Sequence, residues 1–393
     1  MSAFHTSGMT GSGTSRSRVV ALDPLRMRAR RHHAHALHRG ERIWQDGAGP
    51  VDLWIELLHG NGFEPRAALA FAVAQDFEDD QFTLGRIPPE DIEKLYGLQV
   101  QPLSVFDSLE ERALVQTRRA NTVLVEVDAF YLPDTRAISY HREHANTTIG
   151  IDVIDPNARR LGYFHHTGYH LLDGDDYDGV LKAHTNDSND ANALFPHVEF
   201  VKRTRDALTG TPLAEVSADL LCAHLLRRPP SNPITRWRAA FPEHVEMMLE
   251  RGESFARLYA FNVMRQLGSN FELLAHYLQW MREQGFDIPV QTHTSARKVA
   301  SEAMVMQCRL ARAIAWPQRT LRRVIRCDGR RLRTRGAAAC EYRLLISRKR
   351  AANTAVLMPR SFAKHSLRKD SEMLPILVLR VFLAPSSSDT SHA

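Results

Sequence analysis

The feature that most constrains the fold is a block of strand patterns between two blocks of helical patterns. Residues 123–132 form a run of β-branched, aliphatic and aromatic side chains that ends at Pro133 and Asp134, the strongest strand signal in the chain. Shorter strand patterns follow over 147–154, 161–165 and 169–172. Helices placed before and after a meander of strands predict an α+β fold with a mostly antiparallel sheet, since a βαβ succession would alternate the two patterns.

The helical blocks divide the chain into parts. Residues 51–58 carry apolar side chains at helical spacing, and amphipathic helices are predicted from about 196 to 315. The predicted parts are a disordered leader (1–38), an α+β domain (39–194), a helical domain (195–315) and a basic tail (316–393). A histidine-rich run, 32–38, could bind a metal ion adventitiously, but we interpret it as part of the solvated leader.

Charge is distributed unevenly along the 393 residues. The formal net charge is +6, yet residues 316–393 hold 17 Lys and Arg against 5 Asp and Glu, so the body is mildly acidic. Two hypotheses account for this tail: a change of reading frame near 316, or a basic arm for nucleic acid or anionic surfaces. Nucleic-acid binding ranks last among the functions considered, because it would depend on the tail alone.

Several classes of protein are disfavoured by missing patterns. No apolar run reaches the roughly 18 to 20 residues that span a bilayer, and the N-terminus lacks a signal-peptide core, so we expect a cytoplasmic protein without a membrane partner. The four cysteines show no CxxC spacing, and no glycine-rich phosphate loop occurs. We therefore expect neither a metal nor a cofactor.

Residues 140–169 hold the candidate catalytic groups. His144 stands directly before one strand pattern, and His165 and His166 end the next. A base at the head of one strand, facing a polar residue that orients it, is typical of enzymes that transfer acyl groups through a thiol nucleophile. Asp155 is a further candidate for orienting the base.

Each candidate also has a structural interpretation. His144 lies among polar residues and could be a surface histidine, while Asp155 precedes Pro156 and could serve a turn. Asp128, Asp134 and Asp152 compete as orienting residues, and the sequence does not choose among them.

Four segments carry a family resemblance: 54–98, 123–135, 147–155 and 159–169. Through them the chain resembles the bacterial domain of unknown function 1839 family from about His38 to Ala315. It is also distantly similar to the papain-like N-terminal domain of butirosin-biosynthesis acyltransferases. The resemblance implies a papain-like α+β domain followed by an all-α domain. It also implies transfer of an acyl or aminoacyl group from a carrier-protein thioester to a small-molecule amine.

The chain departs from that resemblance at the nucleophile. The family pattern places an Asn-Cys-Tyr triplet directly before the first core helix, whereas this sequence has Ala48, Gly49 and Pro50. Gly49 is therefore a degenerate nucleophile position. The chain is a pseudoenzyme, or its local sequence is corrupted, or the family's chemistry does not use that cysteine. We expect weak or absent turnover, and the alternative is a non-catalytic protein that binds a carrier protein or a biosynthetic partner.

Overall fold

The computed structural model describes residues 29, 31–40, 42–44, 49–181 and 196–314. Within them the chain is α+β, as predicted: a six-stranded antiparallel sheet is followed by a region of long helices. The predicted tail and most of the predicted leader lie outside the described residues.

The helices are α1 (Ala36–Arg39), α2 (Pro50–Gly60), α3 (Pro89–Tyr96), α4 (Leu109–Arg118), α5 (Gly174–Leu181), α6 (Gly210–Leu226), α7 (Pro233–Arg251), α8 (Glu253–Glu283) and α9 (Val290–Ile314). The strands are β1 (Leu98–Pro102), β2 (Thr122–Asp128), β3 (Asn146–Asp155), β4 (Arg160–His165), β5 (Gly168–Asp173) and β6 (Val198–Arg203). Short 3₁₀ segments cover Pro65–Ala74, Ala129–Tyr131 and Pro133–Thr135.

The sheet has the order β1-β6-β2-β3-β4-β5, and every neighbouring pair is antiparallel. Strands β2 to β5 form the predicted meander. Strand β6 corrects the prediction that helices begin at about 196, because it inserts between β1 and β2. Its outer end, Lys202 and Arg203, is exposed, so the strand lacks the long apolar run that makes β2 recognisable.

Both faces of the sheet are covered, by different helices. Val123 and Val125 of β2 pack with α4 and α5 in one core. The intervening Leu124 belongs to the core that contains α2. Gly150 of β3 lies at this second contact: a Cβ built there would be 3.5 Å from a side-chain carbon of Leu53 and 3.6 Å from one of Leu57. Side chains on alternate strand positions therefore point to separate environments.

Residues 32–40 and 42–44 are packed, which differs from the prediction of a disordered leader up to residue 38. Leu37 and Trp44 are buried, and the Trp44 indole donates a hydrogen bond to the Ala300 carbonyl of α9 at 3.1 Å. We call residues 32–40 and 42–44 the N-terminal strap. Its histidines are not a solvated run: His35 is buried, and burial lowers its pKa to about 4.

Buried carboxylates hold the strap in place. Glu56 of α2 is fully buried and accepts hydrogen bonds from His32 Nε2 at 2.7 Å and from the His35 amide at 2.9 Å. It also pairs with His38, whose Nε2 lies 3.0 Å from Asp52 Oδ1. Burial alone would raise the pKa of Glu56, but the hydrogen bonds from the strap outweigh it and lower the pKa to about 2.

The same strap is joined to the helical region by Glu272 of α8. This carboxylate accepts hydrogen bonds from the amides of Ile43 at 2.6 Å and Trp44 at 3.0 Å. Arg42 bridges the two groups, with Nη1 3.2 Å from Asp52 and Nε 3.4 Å from Glu272. Because these charges are shielded from water, each depends on its partners.

Replacing Glu272 by alanine is expected to destabilise the protein by about 3–5 kcal/mol, since it leaves Arg42 and two amides poorly paired in the interior. Urea unfolding would measure the loss. Glu283→Ala on the same helix is the control, because Glu283 pairs with Arg66 at the surface and such pairs contribute about 1 kcal/mol or less. Equal losses in both variants would contradict a structural role for the buried network.

Candidate functional site

A hydroxyl, an imidazole and a carboxylate lie in line on the α5 side of the sheet. His165, the last residue of β4, donates from Nδ1 to Asp134 Oδ2 at 2.6 Å. Its other ring nitrogen, Nε2, lies 2.8 Å from the Thr147 hydroxyl at the start of β3. We call Thr147, His165 and Asp134 the Thr–His–Asp relay.

Local structure explains how the three side chains meet. Asp134 is held by the 3₁₀ turn Pro133–Thr135 that follows β2, and it also accepts a hydrogen bond from the Tyr163 hydroxyl at 2.5 Å. Tyr163 and His165 are two residues apart on β4, so they point to the same face of the sheet. Thr147 reaches His165 from the adjoining strand β3.

Electrostatics fix the protonation pattern of the relay. Burial by itself would raise the pKa of Asp134, but the hydrogen bond from His165, the nearby His170 and the Tyr163 hydroxyl together lower it to about 2. Asp134 is therefore ionised at neutral pH and can only accept hydrogen bonds. The hydrogen in the His165–Asp134 contact therefore belongs to Nδ1. In the tautomer that carries its one proton on Nδ1, Nε2 can accept a hydrogen bond from the Thr147 hydroxyl.

The three residues of the relay differ in burial. The side chains of His165 and Asp134 are only 2% and 9% exposed, whereas Thr147 is half-buried. Thr147 is therefore the least buried of the three. This order of hydroxyl, base and orienting carboxylate is the arrangement that activates an oxygen nucleophile.

His144 forms a separate pair outside the relay. Its Nδ1 lies 2.5 Å from Asp128 Oδ2, and its ring stacks on Phe130 with centroids 4.4 Å apart. The side chain is 70% exposed. Burial opposes the ionisation of Asp128, but the hydrogen bonds from His144 and from the amides of Phe130 and Ala145 together outweigh it and lower the pKa of that carboxyl.

The structure places His166 and Asp155 in turns. His166 occupies the tight turn between β4 and β5 with φ +45°, and its ring centroid lies 3.9 Å from that of His165. Asp155 accepts a hydrogen bond from the Ala158 amide at 3.1 Å. It lies five residues along β3 from Gly150, about 16 Å away, and Gly150 pairs with Phe164, the neighbour of His165. Asp155 is therefore too distant to orient His165.

Gly49, the degenerate nucleophile position, caps the N-terminus of α2. Its φ is +49°, and no atom lies within 4 Å of a Cβ built there. Helix α2 packs on the sheet face opposite to the relay, because Leu53 and Leu57 contact Gly150 whereas His165 shares the face of Tyr163. The sheet therefore separates the helix that begins at Gly49 from the relay.

The sequence named His165 and Asp134 among the candidates but did not point to Thr147. Asp134 was one of several open alternatives, and Thr147 was assigned only to a strand. One signal could have helped. Tyr163 and His165 are two residues apart, so the tyrosine hydroxyl and the imidazole lie on the same face of the strand. When both are buried, each needs a hydrogen-bond acceptor, which one carboxylate can supply.

Among the residues that the structure describes, no three His, Cys, Asp or Glu side chains are grouped so that they could hold a metal ion. None of the helices described combines the length and apolar character needed to cross a membrane.

The fold and site define an α+β domain with a buried Thr–His–Asp relay, joined to a helical region. Residues 33–203 match the DUF1839 N-terminal domain, and residues 210–327 match the DUF1839 C-terminal domain. The chain therefore belongs to the DUF1839 family. The first match includes the strap from residue 33 and all of β6, and the second extends past the predicted limit at 315. No curated protein matches the chain.

Replacing Asp134 by asparagine is expected to destabilise the protein by about 2 kcal/mol near neutral pH. The folded pKa is depressed from 3.8 to about 2, so Asp134 contributes stability that is complete above about pH 4 and is lost as the pH falls through about 2. Urea unfolding of parent and variant would measure this, and the difference between their free energies of unfolding should be smaller at pH 3 than at pH 7. Asp155→Asn, which keeps the turn hydrogen bond, should change stability by about 0.5 kcal/mol or less. If the loss of stability in Asp134→Asn were the same at both pH values, the lowered pKa of Asp134 would be contradicted.

Proposed function

We propose that the protein transfers an acyl or aminoacyl group from a carrier-protein thioester to a small-molecule amine, with Thr147 as the nucleophile. The observation that carries the proposal is the contact of His165 Nε2 with the Thr147 hydroxyl at 2.8 Å, backed by Asp134 at 2.6 Å. The family resemblance supplies the reaction class. The relay supplies a nucleophile that does not depend on position 49.

In the first half-reaction, Thr147 Oγ1 attacks the thioester carbonyl while its proton passes to His165 Nε2. The carbon–sulfur bond then breaks, and the leaving thiolate takes the proton from His165. The acyl group is now an ester of Thr147, and His165 is neutral again. Asp134 stabilises the imidazolium between these steps, because its ionised carboxylate already holds Nδ1–H.

In the second half-reaction, the amine attacks the ester carbonyl and gives a proton to His165 Nε2. The bond from the carbonyl carbon to Thr147 Oγ1 breaks, and His165 returns the proton to that oxygen. An amide is released, and the relay is restored to its starting state. Both halves use one base in two directions, which is how acyl transfer through a covalent intermediate operates.

The papain-like scaffold belongs to this proposal as well. It is supported by α2, which begins at Gly49 and packs against an antiparallel sheet with histidines at its strand ends. Relatives with a cysteine there would attack from the start of α2, where the helix dipole favours a thiolate. We propose that this chain retains the scaffold and uses the hydroxyl on the other face of the sheet.

The second candidate is a non-catalytic protein that binds a carrier protein or biosynthetic partner. The absence of a side chain at Gly49 favours it, as does the 2% exposure of His165. Binding of an acylated carrier protein with no loss of the acyl group would support this candidate and contradict acyl transfer.

Thr147→Val is expected to reduce acyl transfer by at least about 100-fold, because it removes the attacking hydroxyl and keeps the β-branched shape. The assay would follow release of N-acetylcysteamine from an aminoacyl thioester, with glycinamide as acceptor. Thr148→Val is the matched control: Thr148 is the next residue on β3, and consecutive strand positions point to opposite faces. Equal rates for parent and Thr147→Val would contradict the proposal.

Gly49→Cys distinguishes the two nucleophile positions. If Thr147 is the nucleophile, the added thiol should leave the rate unchanged. A gain in Gly49→Cys that survives Thr147→Val would instead assign the chemistry to the start of α2.

A further inference from the structure

A cavity of about 440 Å³ lies on the α2 side of the sheet, away from the relay. It is formed where α2 ends, between α4 and β2, and along the outer half of β6. Its walls are Leu57, Asn61, Phe63, Leu98, Arg119, Ala120, Asn121, Thr122, Val201 and Arg203. The volume lies within the range of small-molecule sites in proteins.

The charged residues that line this cavity are all positive. Arg119 and Arg203 contribute two guanidinium groups, and the residues that line the cavity include no Asp or Glu. Within the described residues Arg119 has no carboxylate partner, and Arg203 pairs with Asp206, whose side chain is 98% exposed. An arginine without a buried acid beside it remains available for an incoming anion.

The opposite wall is apolar and rigid. Leu98 and Val201 are buried members of the core behind the cavity. Phe63 stacks on Tyr96 with ring centroids 5.6 Å apart, and the Tyr96 hydroxyl donates a hydrogen bond to the Glu64 carbonyl at 2.7 Å. The Arg203 guanidinium carbon lies 5.9 Å from the Phe63 ring centroid, so charge and aromatic surface adjoin.

Arg119 is positioned by a fixed turn. Helix α4 ends at Arg118, Ala120 follows in the turn with φ +61°, and the Asn121 amide donates a hydrogen bond to the Gln116 carbonyl at 3.0 Å. The Asn121 side chain also donates to Gln116 Oε1 at 2.9 Å. This turn places Arg119, Ala120, Asn121 and Thr122 in the wall of the cavity.

We propose that this cavity binds a small organic anion, with a carboxylate or phosphate held by Arg119 and Arg203 and an apolar body packed on Phe63, Leu98 and Val201. Guanidinium groups bind both oxyanions through paired hydrogen bonds. The site is separate from the Thr–His–Asp relay, since Leu57 and Val201 belong to the α2 core. The inference does not depend on the acyl-transfer proposal.

Isothermal titration with benzoate and phenyl phosphate tests the site directly. At least one of them is expected to bind about tenfold more tightly than inorganic phosphate or benzyl alcohol. Inorganic phosphate has the anionic group without the apolar ring, and benzyl alcohol has the ring without the charge. Preference for phenyl phosphate would identify the group as phosphate, and preference for benzoate would identify it as carboxylate.

Arg119→Gln and Arg203→Gln are each expected to weaken that binding about tenfold, as loss of a charge-assisted hydrogen bond implies. Arg118→Gln is the matched control, because Arg118 is exposed and adjacent but does not line the cavity. Far-ultraviolet circular dichroism would confirm folding of each variant. Thr147→Val should bind the anion with the affinity of the parent. Failure of the anion-binding proposal can therefore be distinguished from failure of the acyl-transfer proposal.

Three results would overturn the proposal. One is the absence of binding by both organic anions. Another is unchanged affinity in the Arg119→Gln, Arg203→Gln double variant. The third is an equal loss in Arg118→Gln, which would indicate attraction to general surface charge.

Discussion

The rest of the structure depends on buried carboxylates that are neutralised by the N-terminal strap. Glu56 and Asp52 of α2 meet His38 and Arg42, and Arg42 continues to Glu272 of α8. These contacts connect the helix that covers the sheet to the helix that organises the C-terminal region. A buried charge without partners lowers the free energy of unfolding by several kcal/mol. Detachment of the strap would therefore destabilise both regions. That is the physical reason why a histidine-rich segment with few apolar residues is ordered.

The same rule operates at the relay with a different outcome. Asp134, like Glu56, is a buried carboxylate whose pKa is lowered to about 2 by histidine and other donors. His38 contacts carboxylates through both ring nitrogens, so it has a structural role. His165 contacts a carboxylate through one nitrogen and the Thr147 hydroxyl through the other. The second contact places a hydroxyl beside the remaining ring nitrogen, and the acyl-transfer proposal rests on this geometry.

The sequence was most informative where one residue type repeats with a clear period. Strands β2 to β5 were predicted because their apolar residues are continuous or bounded by turns, and the α+β class followed from their order. Strand β6 was missed, since its position between β1 and β2 depends on pairing across about 70 to 100 residues, which local pattern does not encode. The strap was missed because its order comes from acids on α2 and α8. Thr147 and Asp134 were not joined because each contacts His165, and Thr147 reaches it only after β3 and β4 pair.

The central claim is that Thr147 carries the acyl group during transfer. Intact-mass measurement after brief incubation with an aminoacyl thioester, without an amine acceptor, tests it most directly. The predicted result is a protein heavier by one acyl group, with the added mass mapped to the peptide containing Thr147 and absent from Thr147→Val. An acyl adduct on another residue would contradict it. So would a parent protein that turns over without forming an adduct, together with a Thr147→Val variant that keeps full activity.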